Sequence, residues 1–149
     1  MTVFFVIIIL AILLQTAGRL GLKPLRSFRE NARVATGIAF VLIGISHFIV
    51  PGTYLAMMPP FLPAPIFLIY LSGFFEILGG IGLIIAKTKR LAAIGLTLLL
   101  LAVFPANIYV ALNNVQLGGW LNYAVYQWLR LPMQFVLIGW VWWCEREKG

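Results

Sequence analysis

The sequence contains no aspartate, one cysteine and one histidine, and only 10% of its 149 residues are charged. Each scarcity closes a class of function. Without Asp there is no Ser-His-Asp constellation, and Cys144 alone forms neither a disulfide within the chain nor a Cys-x-x-Cys redox pair. His47 alone excludes a haem held by two histidines of one subunit. No metal-ligand set is better than one His with one Glu, and neither a Gly-x-x-x-x-Gly-Lys phosphate loop nor a Gly-x-Gly-x-x-Gly turn is present. A self-sufficient enzyme is hard to build from what is left.

What the chain has instead is apolar length. Hydrophobic residues make up 62% and the mean hydropathy is +1.02, which excludes a water-soluble globule. At roughly 20 apolar residues per bilayer crossing, four or five crossings consume most of the chain. The expected fold is an all-α membrane protein, a four-helix transmembrane bundle plus an additional N-terminal transmembrane helix. Its segments are Val34 to Val50, Ile66 to Ala86, Leu91 to Ala111 and Tyr123 to Trp143, preceded by Met1 to Ala17. The first run has its basic residues after its apolar core, the reverse of a cleavable signal, and reads as retained. Its seventeen residues reach only about 25 Å. The domain reading is therefore a hydrophobic helix at 1–17, a basic cytoplasmic loop at 18–33, a membrane domain at 34–143 and a cytoplasmic tail at 144–149.

Eleven Lys and Arg face four Glu, a net charge of +7. Ten of the eleven fall in alternate connections: Arg19, Lys23, Arg26, Arg29 and Arg33; Lys87, Lys89 and Arg90; Arg146 and Lys148. The intervening connections, Pro51 to Pro65 and Leu112 to Asn122, carry no charge. Such clustering indicates membrane orientation rather than nucleic acid. It places the C-terminus in the cytoplasm of a cell (inner) membrane protein, with the N-terminus outside if the first segment spans. Arg33-Val34-Ala35-Thr36 resembles Arg90-Leu91-Ala92-Ala93, a hint that segments two and three repeat as four and five. The four prolines of Gly52 to Pro65 forbid a long regular helix there, so this apolar stretch reads as an interfacial loop or lid.

Two charged side chains remain inside the segments, Glu76 and Arg130. Each costs about 2.5 to 3.5 kcal/mol at a helix centre, so mutual pairing is the expected solution, with outward snorkelling of Arg130 as the alternative. Tyr123, Gln127, Arg130 and Gln134 form one polar stripe at i, i+4, i+7, i+11. Gly73, Glu76 and Gly80 share a face, as do Gly37, Gly44 and His47, and the missing side chains permit close helix approach. Asn107 follows Pro105 at a depth similar to that of His47. Singly, His47 also reads as an interfacial anchor and Asn107 as interhelical glue. Together, His47, Glu76, Asn107 and Arg130 converge from four segments on one polar pocket beneath a lid carrying Met57, Met58 and Phe61, suited to an amphiphile with a polar head such as a quinone. Gln127 and Gln134 extend the candidate ligand-binding set; no metal site is expected. Tyr109, Trp120, Trp140, Trp142 and Trp143 read as aromatic-belt residues. Cys144 reads as an interfacial cysteine, with palmitoylation as the alternative.

The run Gly44-Ile45-Ser46-His47-Phe48 with Pro51 and Met58-Pro59, then Ser72-Gly73-Phe74-Phe75-Glu76-Ile77-Leu78-Gly79-Gly80, then Arg90 and Phe104-Pro105-Ala106-Asn107, resembles the DoxX-like family of small multi-pass membrane proteins. The resemblance covers about Arg33 to Trp143. It implies a four-helix membrane bundle and a link to quinone-dependent oxidoreductase systems, since the family is named from a subunit of a thiosulfate:quinone oxidoreductase. This chain departs from it in its additional N-terminal segment and its single Cys, which puts thiol exchange in doubt.

The functional expectation is a protein that binds a lipid-soluble, quinone-like molecule, or serves a membrane redox partner, through an outward-facing polar pocket; whether it catalyses anything on its own is left open, with a place as a subunit of a quinone-linked oxidoreductase. A structural or assembly subunit of a membrane complex and a small transporter or proton pathway stand as alternatives.

Overall fold

The computed structural model describes residues 2–19, 28–118 and 123–146. Its helices are α1 (Thr2–Arg19), α2 (Phe28–Ile49), α3 (Pro51–Ala56), α4 (Pro65–Ile84), α5 (Lys89–Asn113) and α6 (Ala124–Glu145), and no strand occurs among the described residues. Three of them, α2, α4 and α5, are long and apolar enough to cross a membrane. α6 matches them with 22 residues but includes Gln127, Arg130 and Gln134. The apolar part of α1, Phe4–Thr16, is shorter, about 20 Å of helix. Arg19, Lys23, Arg26, Trp120 and Lys148, used above for orientation or as belt residues, have side chains outside the described set.

Proline sets two of the helix starts. Pro51 opens α3 and Pro65 opens α4, each in the first turn, where the missing N–H has no helical partner to lose. The lid segment is thus a short helix followed by turns, not a loop throughout. Before α4 the chain reverses at Ala64, which takes the left-handed conformation at φ 48°.

α2 is the centre of the bundle, packed on α1, α4 and α6, while α4 packs on α5 and α5 on α6. Ala32, Ala35, Ala39 and Phe40 of α2 are buried. The tightest joint is the antiparallel pair α2 and α4. A methyl group on Gly44 would lie 2.6 Å from the Gly73 carbonyl oxygen, and one on Gly80 would lie 2.5 Å from that of Gly37. Glycines seven residues apart on both helices thus let the backbones touch at two levels.

α2 begins at Phe28, six residues before the expected Val34, so part of the expected basic loop at 18–33 is helical. Arg33 is therefore not a loop residue. It is buried, and its Nη1 donates to the Leu83 and Ile84 carbonyls, both at 2.6 Å, at the C-terminal end of α4. Those carbonyls have no partner within their own helix, and a cation there also favours the helix dipole. Arg90, its counterpart in the suggested repeat, is exposed, so the sequence likeness does not carry over to side-chain placement.

Trp140 and Trp142 also depart from a purely interfacial role. Their indole N–H groups donate to Thr36 Oγ1 at 2.9 Å and Thr97 Oγ1 at 3.0 Å, tying α6 to α2 and to α5. Trp143 lies beneath Arg29, whose guanidinium carbon is 4.9 Å from the ring centroid. Cys144 is fully buried, which removes palmitoylation as a reading of it.

Candidate functional site

At the end of the bundle away from the basic clusters, all six helices and the segment after α3 line a chamber of about 190 Å³. Its polar lining is His47 from α2, Tyr54 from α3, Ser72 and Glu76 from α4, Asn107 from α5, and Arg130 and Gln134 from α6. Met57, Met58, Val103 and Met133 contribute apolar wall, and Phe4 of α1 reaches in as well. The four residues expected to converge, His47, Glu76, Asn107 and Arg130, therefore line one cavity.

Their pairing differs from expectation. Glu76 and Arg130 form no ion pair; instead Glu76 Oε2 lies 3.3 Å from His47 Nδ1. The glycine seam is the reason. Gly44 and Gly73 bring α2 and α4 into backbone contact, and because the helices are antiparallel His47 and Glu76 lie one turn to either side of that contact. A methyl on Gly73 would meet His47 Cβ at 2.7 Å, so its absence lets the two side chains meet across the glycines. His47 Nδ1 also lies 2.9 Å from the Ile43 carbonyl oxygen. A carbonyl only accepts, so Nδ1 carries the proton and Nε2 of the neutral ring is left as an acceptor. Glu76 Oε2 is buried with no hydrogen-bond partner.

The His47 ring stacks on Tyr54, with centroids 3.8 Å apart and planes at 20°. Ser46 donates to the Ile43 carbonyl at 2.6 Å, so the 2.5 Å contact between Ser46 Oγ and Tyr54 Oη has Tyr54 as donor. Burial pushes the Tyr54 hydroxyl above the usual tyrosine range; Glu76 adds to that and Arg130 opposes it. Tyr54 thus remains a proton donor that fixes the plane of His47.

On the facing wall a directed chain of hydrogen bonds holds Arg130. Gln134 Nε2 donates to the Leu100 carbonyl, which fixes the amide so that Oε1 accepts from Asn107 Nδ2 at 2.7 Å. Asn107 is then left with Oδ1 facing Arg130, whose Nη2 donates to it at 3.0 Å and lies 3.9 Å from Met57 Sδ. Arg130 is half-buried, and among the described residues no carboxylate comes within ion-pair distance of it. The chamber thus has a cationic donor on one side and, on the other, a histidine acceptor beside a carboxyl group.

Two candidates lie elsewhere. Gln127 is fully buried but donates to the Val115 carbonyl at 2.8 Å, holding the segment after α5. It does not line the chamber, and Tyr123, at the head of the same stripe, is 70% exposed. Phe61, 77% exposed, lines an adjoining apolar cleft rather than the chamber; Met58 lines both. Tyr54 was missed because a short helix opened by Pro51 is hard to distinguish from loop; the signal was that proline three residues before the tyrosine. Met133, one turn beyond Arg130 on α6, was legible from spacing alone.

No curated protein and no solved structure matches the chain. The family model described as Domain of unknown function (DUF8561) matches residues 36–145, a stretch that holds every chamber residue named here except Phe4. The chain belongs to that family.

Proposed function

We propose that this is an integral membrane protein that binds a lipid-soluble molecule by its polar head in the chamber. The carrying observation is the convergence of His47, Glu76, Asn107 and Arg130, from four different helices, on one cavity. Ionisable groups inside a membrane are costly and mark functional sites by default. Arg130 is held by a neutral amide and a thioether, and Glu76 Oε2 has no hydrogen bond, so both retain capacity for a ligand. A head group with an acceptor toward Arg130 and a donor toward His47 complements the chamber. A quinol, whose hydroxyls both donate and accept, meets that description, and the quinone meets its acceptor half toward Arg130, which agrees with the DoxX-like resemblance and with service to a membrane redox partner.

In this reading α2, α4, α5 and α6 cross the membrane as a four-helix bundle with α1 as an additional helix. The basic clusters and the C-terminus lie in the cytoplasm of a cell membrane protein, and the chamber opens in the opposite half of the bilayer. The assembly-subunit alternative loses one of its supports, because the glycine seam is occupied within the chain by α2 against α4.

The test is gentle purification from the native membrane with mass spectrometry of co-purifying small molecules, beside Glu76→Gln and Arg130→Gln. The expected result is an amphiphile retained by the original protein and lost from both variants while they remain folded. Retention unchanged in both variants sinks the assignment.

A further inference from the structure

The chamber is too small for a whole amphiphile. At about 190 Å³ it slightly exceeds the roughly 150 Å³ cavity that admits one benzene ring, and falls below the ~300 Å³ at which sites for drug-sized molecules begin. A molecule whose head fills it must place the remainder elsewhere. Two of its sides are closed. The Gly44 and Gly73 contact shuts the side between α2 and α4, and the chain from Arg130 through Asn107 and Gln134 to Leu100 ties α5 to α6.

The side between α4 and α5 is different. There a second cavity of about 440 Å³ adjoins the chamber and shares four of its wall residues, Met58, Ser72, Val103 and Ala106. Beyond those four its lining is apolar, with Leu71 and Phe75 on α4 and Ala102 on α5, all exposed at the lateral surface. Pro59, fully buried, anchors the segment that roofs it, and Phe61 stands at its rim.

We infer that this cleft takes the apolar tail of the molecule whose head occupies the chamber, and that the ligand enters sideways from the hydrocarbon, between α4 and α5. The inference rests on the chamber reading of the preceding subsection. It specifies the ligand class: one ring-sized polar head bearing an acceptor, joined to one apolar chain. Because the tail leaves one apolar medium for another, the cleft acts by fit rather than by adding hydrophobic affinity.

The test uses two probes, tetramethyl-1,4-benzoquinone and a trimethyl-1,4-benzoquinone carrying a decyl chain. Both rings are fully substituted, so neither adds to a thiol. Binding to the full chain in nanodiscs is counted over that in empty nanodiscs. Ala102→Phe fills the cleft from α5 and Leu71→Trp from α4, each at an exposed position where folding tolerates bulk, and Ala102→Ser is the control. The expected result is that the original protein and Ala102→Ser bind both probes. The filled variants should keep the tailless probe and lose affinity for the tailed one by roughly tenfold or more, the scale of an overpacked site. Equal binding of both probes by the filled variants overturns the inference and leaves the chamber reading intact, with the tail elsewhere or in an ordinary lipid groove. Loss of both probes from folded filled variants overturns it too, since the cleft would then not be specific to the tail. If the original protein binds neither probe, the chamber reading for quinones fails first.

Discussion

His47 and Glu76 face each other with Nδ1 and Oε2 3.3 Å apart, a contact between α2 and α4 made across the point where Gly44 and Gly73 touch. The site is thus a consequence of the packing. Two side chains from antiparallel helices meet at this depth because the two positions between them have been reduced to hydrogen.

Gly44→Ala tests that dependence. The added methyl would fall 2.6 Å from the Gly73 carbonyl oxygen and 2.7 Å from an Ile77 side-chain carbon, so the helices must separate. An overpacked joint of this kind loses about 1–3 kcal/mol. The unfolding midpoint in detergent should fall clearly for Gly44→Ala and for Gly73→Ala. Gly95→Ala, at a position with nothing within 4 Å, should leave it unchanged or raise it slightly.

The seam was legible because its signal is local: glycines at seven-residue spacing beside His47 and Glu76 declare a face without any knowledge of the partner helix. The convergence of His47, Glu76, Asn107 and Arg130 on one cavity followed from the same face arithmetic. What could not be read was the rotation of α6 against α5, which turns Arg130 to Asn107 rather than to Glu76. Charge complementarity suggested the ion pair, but the geometry of the α2 and α4 joint decided otherwise. Arg33 was misplaced for a related reason. Counting charges to orient loops treats every Arg as solvated, whereas this one caps α4 from a helix that starts six residues earlier than its apolar run.

The hydrogen-bond chain on α6 predicts coupling. Gln134→Leu removes the donor to the Leu100 carbonyl and the acceptor for Asn107, each worth about 1 kcal/mol when the partner stays buried. Asn107→Leu removes the Gln134 contact and the acceptor for Arg130. Because the two changes share one bond, the double variant should be destabilised by less than the sum, by roughly 0.5–1 kcal/mol. Additive losses in a denaturation cycle would show that the chain does not act as a unit.

Arg33 gives a third expectation. Arg33→Lys keeps the charge, but its stem is one bond shorter and withdraws from the two α4 carbonyls the single nitrogen, here Nη1, that serves both. A loss of about 1–2 kcal/mol is expected from those buried acceptors. Arg90→Lys, on an exposed side chain, should cost nothing measurable. Equal midpoints for the two variants would remove the capping role.

Orientation is open to a direct chemical test. Gly52 in α3 and Lys87 in the turn between α4 and α5 are both exposed and lie at opposite ends of α4. In a Cys144→Ala background, Gly52→Cys and Lys87→Cys each supply one reactive thiol, since the native cysteine is buried. The positive-inside rule assigns the Lys87 end, with Lys89 and Arg90 beside it, to the cytoplasm. A membrane-impermeant maleimide applied to intact cells should therefore label Gly52→Cys and reach Lys87→Cys only after permeabilisation. The reverse pattern would invert the bundle and open the chamber toward the cytoplasm. Labelling of both positions in intact cells would mean that α4 does not cross, and a ligand entering from the hydrocarbon between α4 and α5 would then have no bilayer to come from.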